Sequence, residues 1–387
     1  MTVKITIQHT KVPILVWTDY VEDGALNQAV NVANLTPVYK YVALMPDVHS
    51  GYGLPVGGVA ALHNALSPYM IGSDQGCGMV AVRTSLTSIL LDDQKTIFRI
   101  LRERIPVGFK HHDKVVDWEG FDYNKAPRIP IIQQELGSAM HQLGTLGGGN
   151  HFLEFQQDQE GRIWIMIHSG SRNIGKRIGD EYHMLAINEG VCPNKDLAYF
   201  DKTRHSDLFE QFYTALKYAT DFAYENRRVM MEECKFAIIS ILGNDIKFDP
   251  MINIHHNYAE KLVVDGDEYW LHRKGATAAY KNTIGIIPGS MGSKSFIVKG
   301  LGNELSFNSC SHGAGRKMSR GQAKRSISKE EYLDSLKKIG LDASDRDLHI
   351  DEAPGAYKDI EEVMNNQKDL VEVLYILKPY QLPAIKG

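Results

Sequence analysis

The stretch Ile163-Trp164-Ile165-Met166-Ile167-His168-Ser169-Gly170-Ser171-Arg172-Asn173-Ile174-Gly175 sets the terms for the whole chain. Its first five residues form a short apolar run rich in β-branched and aromatic side chains, bounded by turn formers. That is the pattern of a buried strand. The strand hands over to histidine, serine and arginine carried on glycines. Glycine admits positive φ and lets a backbone come close to a ligand. Polar loops at the ends of buried strands are where rigid scaffolds present their functional groups.

The same arrangement recurs outward in both directions. Many of the 34 glycines fall in clusters beside His, Asp, Asn, Ser or Arg, at 45–58, 71–79, 143–154, 168–175, 288–295 and 311–316. Thr283-Ile284-Gly285-Ile286-Ile287 is a second buried strand feeding such a loop. The clusters span most of the chain, so one site built from all of them requires one interleaved domain. Helical spacing of apolar residues predicts helices at 93–104, at 208–242 (one long helix or a broken pair) and at 358–370. Ser328-Lys329-Glu330-Glu331 is a capping box that opens a further helix over 332–339. The result is mixed α and β content without a regular βαβ alternation.

Bulk properties narrow the class. A hydrophobic share of 43% and a charged share of 23% are those of an ordinary globular protein able to bury a large core. The opening residues lack the pattern of a secretory signal, and no apolar run is long enough to cross a bilayer. Cys77, Cys192, Cys234 and Cys310 lie too far apart to suggest a disulfide framework, which points to a reducing, cytoplasmic setting. A net charge of −4 argues against nonspecific coating of nucleic acid. The basic run from Arg316 and Lys317 through Arg320 to Lys324 and Arg325 leaves room for a local groove, although a solvated helix face reads as well.

Fifteen histidines is a rich supply, and those in small polar loops are candidate metal ligands. Asp74 and Cys77 lie three apart in one glycine loop; His151 follows Asn150; His168 ends its strand; His256 sits beside His255, and local sequence does not choose between the two. A Cys/His/Asp set suits a transition metal such as zinc or manganese better than magnesium or calcium, and the cysteine leans it toward zinc. No P-loop and no Lys-x-Asp-Gly element is present. Phosphate could instead lie on the backbone N–H groups of Pro288-Gly289-Ser290-Met291-Gly292 or Gly147-Gly148-Gly149-Asn150. His312, with Arg316 four residues on, could be a nucleophile toward phosphorus, a metal ligand or a general acid.

Together these blocks resemble the RtcB family of RNA ligases from residue 47 to residue 387. The likeness is densest at Asp47-Val48-His49, 74–78, 149–154, 168–172, His256-Asn257, 288–292, 312–316 and Lys386-Gly387. It implies an α+β (mixed α/β) fold in which 1–387 is a single catalytic domain, with β-sheets lining a central metal and nucleotide pocket and helices outside. It implies joining of an RNA 3′-phosphate or 2′,3′-cyclic phosphate end to a 5′-hydroxyl end, using GTP and two Mn²⁺ ions, in tRNA splicing or RNA repair. Carried over, Cys77 bridges the ions, with Asp74 and His151 on one side and His168 and His256 on the other. His312 takes GMP from GTP. GMP contacts fall at Asn150, His151, Phe152, Leu153, Glu154, His256, Asn257, Pro288, Gly289, Ser290, Met291, Ser295, Gly313, Ala314, Gly315, Tyr357 (stacked on guanine) and Lys386. Asp47 belongs to the catalytic set, and Arg172, Arg316 and Arg320 hold RNA phosphates.

Two positions depart from the family pattern. Asn173 stands where glycine is usual, and Gly148 where serine or threonine is frequent. The resemblance leaves room for an activating protein partner and a monomeric enzyme. The competing reading is a metal-dependent RNA-end phosphodiesterase or phosphatase, which would need the ligand set but neither His312 nor the guanine contacts.

Overall fold

A computed structural model describes residues 3–122, 124–344 and 348–387. Two sheets carry the molecule. The first runs in the order Ile5–Ile7, Ile14–Val16, Val38–His49, Val56–His63, Asp267–Lys274, Asn257–Val264 and is antiparallel except where Ile14–Val16 pairs with Val38–His49. The second runs Ile252–His255, Gly78–Arg83, Ile163–Ser169, Phe152–Asp158, Val371–Pro379, Ser295–Gly300, Ile284–Ile287, with the short terminal strand Ile385–Lys386 also laid against Phe152–Asp158. This is the α+β arrangement expected.

Both apolar runs that looked like strands are strands, Ile163–Ser169 buried along its whole length and Ile284–Ile287 at the end of the same sheet. The helix expected at 208–242 is a single unbroken element, Ser206–Leu242. Its buried stripe begins with Phe209, Phe212 and Leu216 and continues through Met230, Met231 and Ile238, a helical repeat that lays it along the outside of the second sheet. The segment 93–104 is helical from Leu91 to Arg104. Ser328 and Glu331 exchange both bonds of the capping box at the start of Lys329–Lys338. Within 106–140, which carries no strong pattern, the helix Pro130–Gln142 packs on Arg172–Glu189.

The helix expected at 358–370 is a correction. Only Ile360–Asn365 is helical. The buried Gln367 turns its Oε1 to the Ser311 N–H at 3.0 Å, and Val371–Pro379 is drawn into the second sheet between Phe152–Asp158 and Ser295–Gly300. Residues 366–370 form a turn that feeds this strand, and the long-range bond of Gln367 stands where the local spacing would have continued the helix. Among the described residues no helix is long and apolar enough to cross a membrane.

Candidate active site

Strand pairing gathers the ligand candidates at one end of the second sheet. Gly78 pairs with both Ser169 and His255, and Phe152 pairs with His168. Cys77, His151, His168 and His256 therefore leave or approach four neighbouring strands at the same edge. Two glycines permit this crowding. A Cβ on Gly78 would lie 1.9 Å from the Ile254 carbonyl oxygen, and one on Gly170 would lie 2.2 Å from an Asp74 carboxylate oxygen. Neither spacing tolerates a side chain.

Within the cluster Cys77 Sγ stands 3.2 Å from His168 Nε2 and 3.5 Å from His151 Nε2. His168 and His256 face each other through Nε2 at 3.3 Å, and His151 Nε2 lies 3.1 Å from Asp74 Oδ2. The donor atoms form two groups that share the thiol: Asp74, Cys77 and His151, and Cys77, His168 and His256, each with its ligand atoms within 4.8 Å of one another. His151 Nδ1 meets the Leu146 carbonyl at 2.9 Å and His168 Nδ1 the Asn150 carbonyl at 3.0 Å. Carbonyls only accept, so both rings carry hydrogen on Nδ1 and turn an Nε2 lone pair inward, the tautomer of metal-binding histidine.

Burial, reinforced by neighbouring histidines, holds His168 and His256 well below the ordinary histidine range. Burial and then the Asp74 charge push the Cys77 thiol well above its own range. So many lone pairs converging with so few hydrogens between them fit a cation: an adjacent metal ion would offset the repulsion and favour the thiolate. The donor set passes this test for a transition metal. His255 is not part of it. Its ring turns to the opposite face, where Nδ1 lies 2.9 Å from the Gly76 carbonyl and 3.1 Å from Arg227 Nη2. His255 ends its strand, and the chain bends at His256, whose N–H donates to the Cys77 carbonyl at 2.8 Å as its ring turns inward.

His312 closes the other side of the cleft, 4.9 Å from His256 between ring centroids. It follows the strand Ser309–Ser311, which pairs with Ala276–Ala278. Its Nδ1 lies 2.6 Å from Asp47 Oδ2, and that oxygen also accepts from the His312 N–H at 3.0 Å and the Gly313 N–H at 3.3 Å. Burial alone would raise the Asp47 pKa; the charge and hydrogen bond of His312 outweigh it and bring it below the usual value. An ionised Asp47 accepts the hydrogen bond of Nδ1–H, which makes Nε2 the nitrogen with the free lone pair when the ring is neutral.

The cleft between His312 and the cluster has a volume of about 300 Å³, within the size class of small-ligand sites. Asn150, Phe152, Glu154, Asn257, Pro288, Gly289, Ser290, Met291, Gly313, Ala314, Gly315, Tyr357 and Lys386 all line it. Leu153 does not. It alternates outward into the core with Phe155 and Ile385, so only its backbone is on the site side. Ser295 sits behind the wall, where its Oγ accepts from the Gly289 N–H at 3.1 Å and holds that loop in place. Arg172 lies behind the cluster, donating to Thr145 Oγ1 at 2.9 Å and the Gly108 carbonyl at 3.0 Å. Arg316 reaches the cleft with its donors committed to the Met318 carbonyl, Glu352, the Tyr357 hydroxyl and the Asp351 carbonyl. Arg320, whose side chain is 47% exposed, is freer.

Glu154 is buried and accepts from Gln156 Nε2 at 2.6 Å, while its Oε1 has no protein partner. Burial pushes its pKa up to about 7. An acid raised on folding binds more protons in the folded state between its unfolded pKa and about 7, so its contribution to stability is lost as pH rises through that window. Glu154→Gln removes the loss. The ligand-free Gln variant should therefore gain in Tm over the parent as pH goes from 5 to 8, by at least about 2 °C at the upper end. Parallel melting curves read this directly, and a pH-independent difference would remove the buried charge from the account.

Sequence reasoning missed the groups that brace the site. Asn226, buried on the long helix, accepts from the Gly144 and Thr145 N–H groups and donates to Ser169 Oγ and the Gly170 carbonyl. Arg227, next along, donates to the Gly76 and Ser169 carbonyls at 3.0 and 2.9 Å. Between them they tie the loops of Cys77 and His168 to one rigid helix. Glu352 was missed as well. It is 3% exposed and meets Lys386 at 3.2 Å, Arg316 at 3.2 Å and the Tyr357 hydroxyl. The signal for Asn226 and Arg227 was two polar residues interrupting an apolar helical stripe; Glu352 had no such signal.

A ligand cluster of metal type facing a carboxylate-held histidine across a polar cleft has the make-up of an active site. The family model described as tRNA-splicing ligase RtcB matches residues 28–387. The chain is 40% identical to the RNA-splicing ligase RtcB of Escherichia coli K12, with 97% of each protein covered. It is 29% identical to the tRNA-splicing ligase RtcB of Pyrobaculum aerophilum over 97% of this chain and 95% of that one, and 30% identical to that of Thermococcus kodakarensis over 89% and 87%. The chain belongs to the RtcB family and is an RNA ligase.

Proposed function

We propose that this RNA ligase joins a 3′-phosphate or 2′,3′-cyclic phosphate end to a 5′-hydroxyl end, using GTP and manganese, through GMP carried on His312. The observation that carries the reading is the pairing of His312 with Asp47 beside the ligand cluster: Nδ1 is 2.6 Å from the carboxylate and the ring is 4.9 Å from His256. Asp74, Cys77, His151, His168 and His256 would hold two ions, a number supported by the two ligand groups that share Cys77. Bound there, the ions supply charge neutralisation at phosphate oxygens.

The chain's own residues do the rest. His312 Nε2 attacks the α-phosphorus of GTP; the N–P bond forms as the bond to pyrophosphate breaks. Asp47 offsets the positive charge that grows on the ring. An RNA 3′-phosphate oxygen then displaces His312 and takes GMP, giving an RNA 3′-ppG end. The 5′-hydroxyl attacks that end, and GMP leaves. The unpartnered Glu154 Oε1 would accept from the N1–H and N2–H₂ edge of guanine, an edge that adenine lacks. Lys386, Tyr357 and the loop 288–291 complete the nucleotide seat.

On this reading 1–387 acts as one catalytic domain in the cytoplasm. Support comes from the free state of Cys77, whose thiol must stay reduced to bind metal. The proposed enzyme works as a monomer, with room for an activating protein partner. It serves tRNA splicing or RNA repair. The decisive assay uses a synthetic RNA pair with 3′-phosphate and 5′-hydroxyl ends. Joining should need both GTP and Mn²⁺ and fail with ATP. Release of the 3′-phosphate without joining would instead mark a phosphatase, and in a parallel assay opening of a 2′,3′-cyclic phosphate end without joining would mark a phosphodiesterase.

A further inference from the structure

Phe109 stands out on the surface. It is 102% exposed, and the next most exposed large hydrophobic among the described residues is Leu90 at 75%. It is also held in place. On one side the Gly108 N–H donates to the Gly147 carbonyl at 3.0 Å, and Arg172 Nη2 donates to the Gly108 carbonyl at 3.0 Å. On the other side the His112 N–H donates to the His141 carbonyl at 2.9 Å, while His112 Nε2 lies 3.3 Å from the Gly144 carbonyl. A loop anchored at both ends thus presents a bare aromatic ring to solvent.

The anchor is the glycine loop that carries the site. Gly147 shares a β-bridge with Val107, and a Cβ on Gly148 would come within 3.7 Å of Gly108 Cα. Two residues further on are Asn150 and His151. A surface groove beside it, lined by Gly149, Arg320, Lys324 and Gly387, shares Arg320 and Glu352 with the catalytic cleft. Lys110, the next residue along the chain, is exposed, and Arg172 holds the carbonyl of Gly108, the residue before the ring. The acids nearby are Asp113, Asp351 and Glu352; Asp351 pairs with Lys324 at 3.7 Å, and the buried Glu352 pairs with Arg320 at 3.7 Å, which leaves the outer face of that guanidinium in solvent. The face therefore joins an aromatic ring, the exposed cations Lys110 and Arg320 and a side-chain-free glycine strip leading to the cleft. That is the composition of a single-stranded nucleic-acid track, in which every base can stack on a ring whatever its sequence.

We propose that Phe109 is a stacking platform for an unpaired base of the substrate RNA, seating the strand at the mouth of the cleft with Lys110 and Arg320 along its phosphates. The inference rests on the ligase reading above and extends it to the RNA strand. Loss of the ring should weaken RNA binding and leave chemistry intact. Phe109→Ala should raise KM for single-stranded RNA about tenfold and keep kcat, and the rate of labelling by α-labelled GTP, within about twofold of the parent.

Phe109→Trp gives a second, binding-only readout. Its emission should be quenched on titration with a single-stranded RNA and not with a blunt RNA duplex. Separate titrations with a 3′-phosphate strand and a 5′-hydroxyl strand tell which end the platform holds, and quenching by either supports it. An unchanged KM in Phe109→Ala, or a tryptophan blind to both strands, overturns it. Failure of GTP labelling in the parent would count against the proposed mechanism alone, because the quenching does not depend on it.

Discussion

His312→Ala should give a folded protein that takes no label from α-labelled GTP, and its joining of RNA ends should fall by at least about 10⁴-fold, the scale on which loss of a covalent nucleophile is felt. The parent should carry label that is lost in acid and kept in base, the behaviour of a phosphorus–nitrogen bond to imidazole. The fold should survive for a structural reason. Asp47 loses the ring but keeps the N–H groups of residues 312 and 313, at 3.0 and 3.3 Å, so its buried charge is not stranded. The cost should stay within about 1–3 kcal/mol, the range for removing one partner of a buried hydrogen bond. Melting curves check the fold, and gel autoradiography checks the label. Label surviving in the variant would move the nucleophile elsewhere and undo the proposed route.

Cys77→Ala should be nearly as severe by a different path. The thiol is the one ligand atom common to both donor groups, so its loss opens both at once. Mn²⁺ content after dialysis should fall below half of the parent value, and guanylylation should fall by at least about 100-fold, the upper end of what is lost when only an outer partner of a metal site is removed. Cys77→Ser should recover little, because a hydroxyl in a buried site is a far poorer anionic ligand than a thiolate. Removing metal from the parent with a chelator should reproduce the loss, and added Mn²⁺ should restore it. A Cys77→Ala protein with full activity would remove the shared-thiol arrangement.

Several elements could be read before any coordinates, and the reason is local. The strand 163–167, the helix over 208–242 and the capping box at Ser328 depend on side-chain spacing and short-range hydrogen bonds, and all three are present. The failure at 358–370 is equally instructive. A helical spacing there gives way after Asn365 to a turn over 366–370, in which the buried Gln367 is claimed by the backbone of Ser311, far off in sequence. Asn226, Arg227 and Glu352 were not selected for a related reason. Apart from the Tyr357 hydroxyl beside Glu352, the partners that tie them into the site lie dozens of residues away or more, such as the Gly76 carbonyl for Arg227, and nothing in their own neighbourhood announces those partners.

Composition and order along the chain were enough to say which side chains are chemically unusual, and that glycine loops must carry them at strand ends. They could not say which way those side chains face. His255 and His256 are adjacent, and only the pairing of Ile252–His255 with Gly78–Arg83, followed by a bend that binds the His256 N–H to the Cys77 carbonyl, turns one ring to Arg227 and the other to the cluster. Strand alternation sends Leu153 into the core and Glu154 into the cleft. Arg316 looks like a free cation in sequence and is held by Glu352 and Tyr357 in space. Spacing sets faces only relative to one another. The absolute direction comes from long-range strand register, which is decided when the two sheets and the long helix pack together.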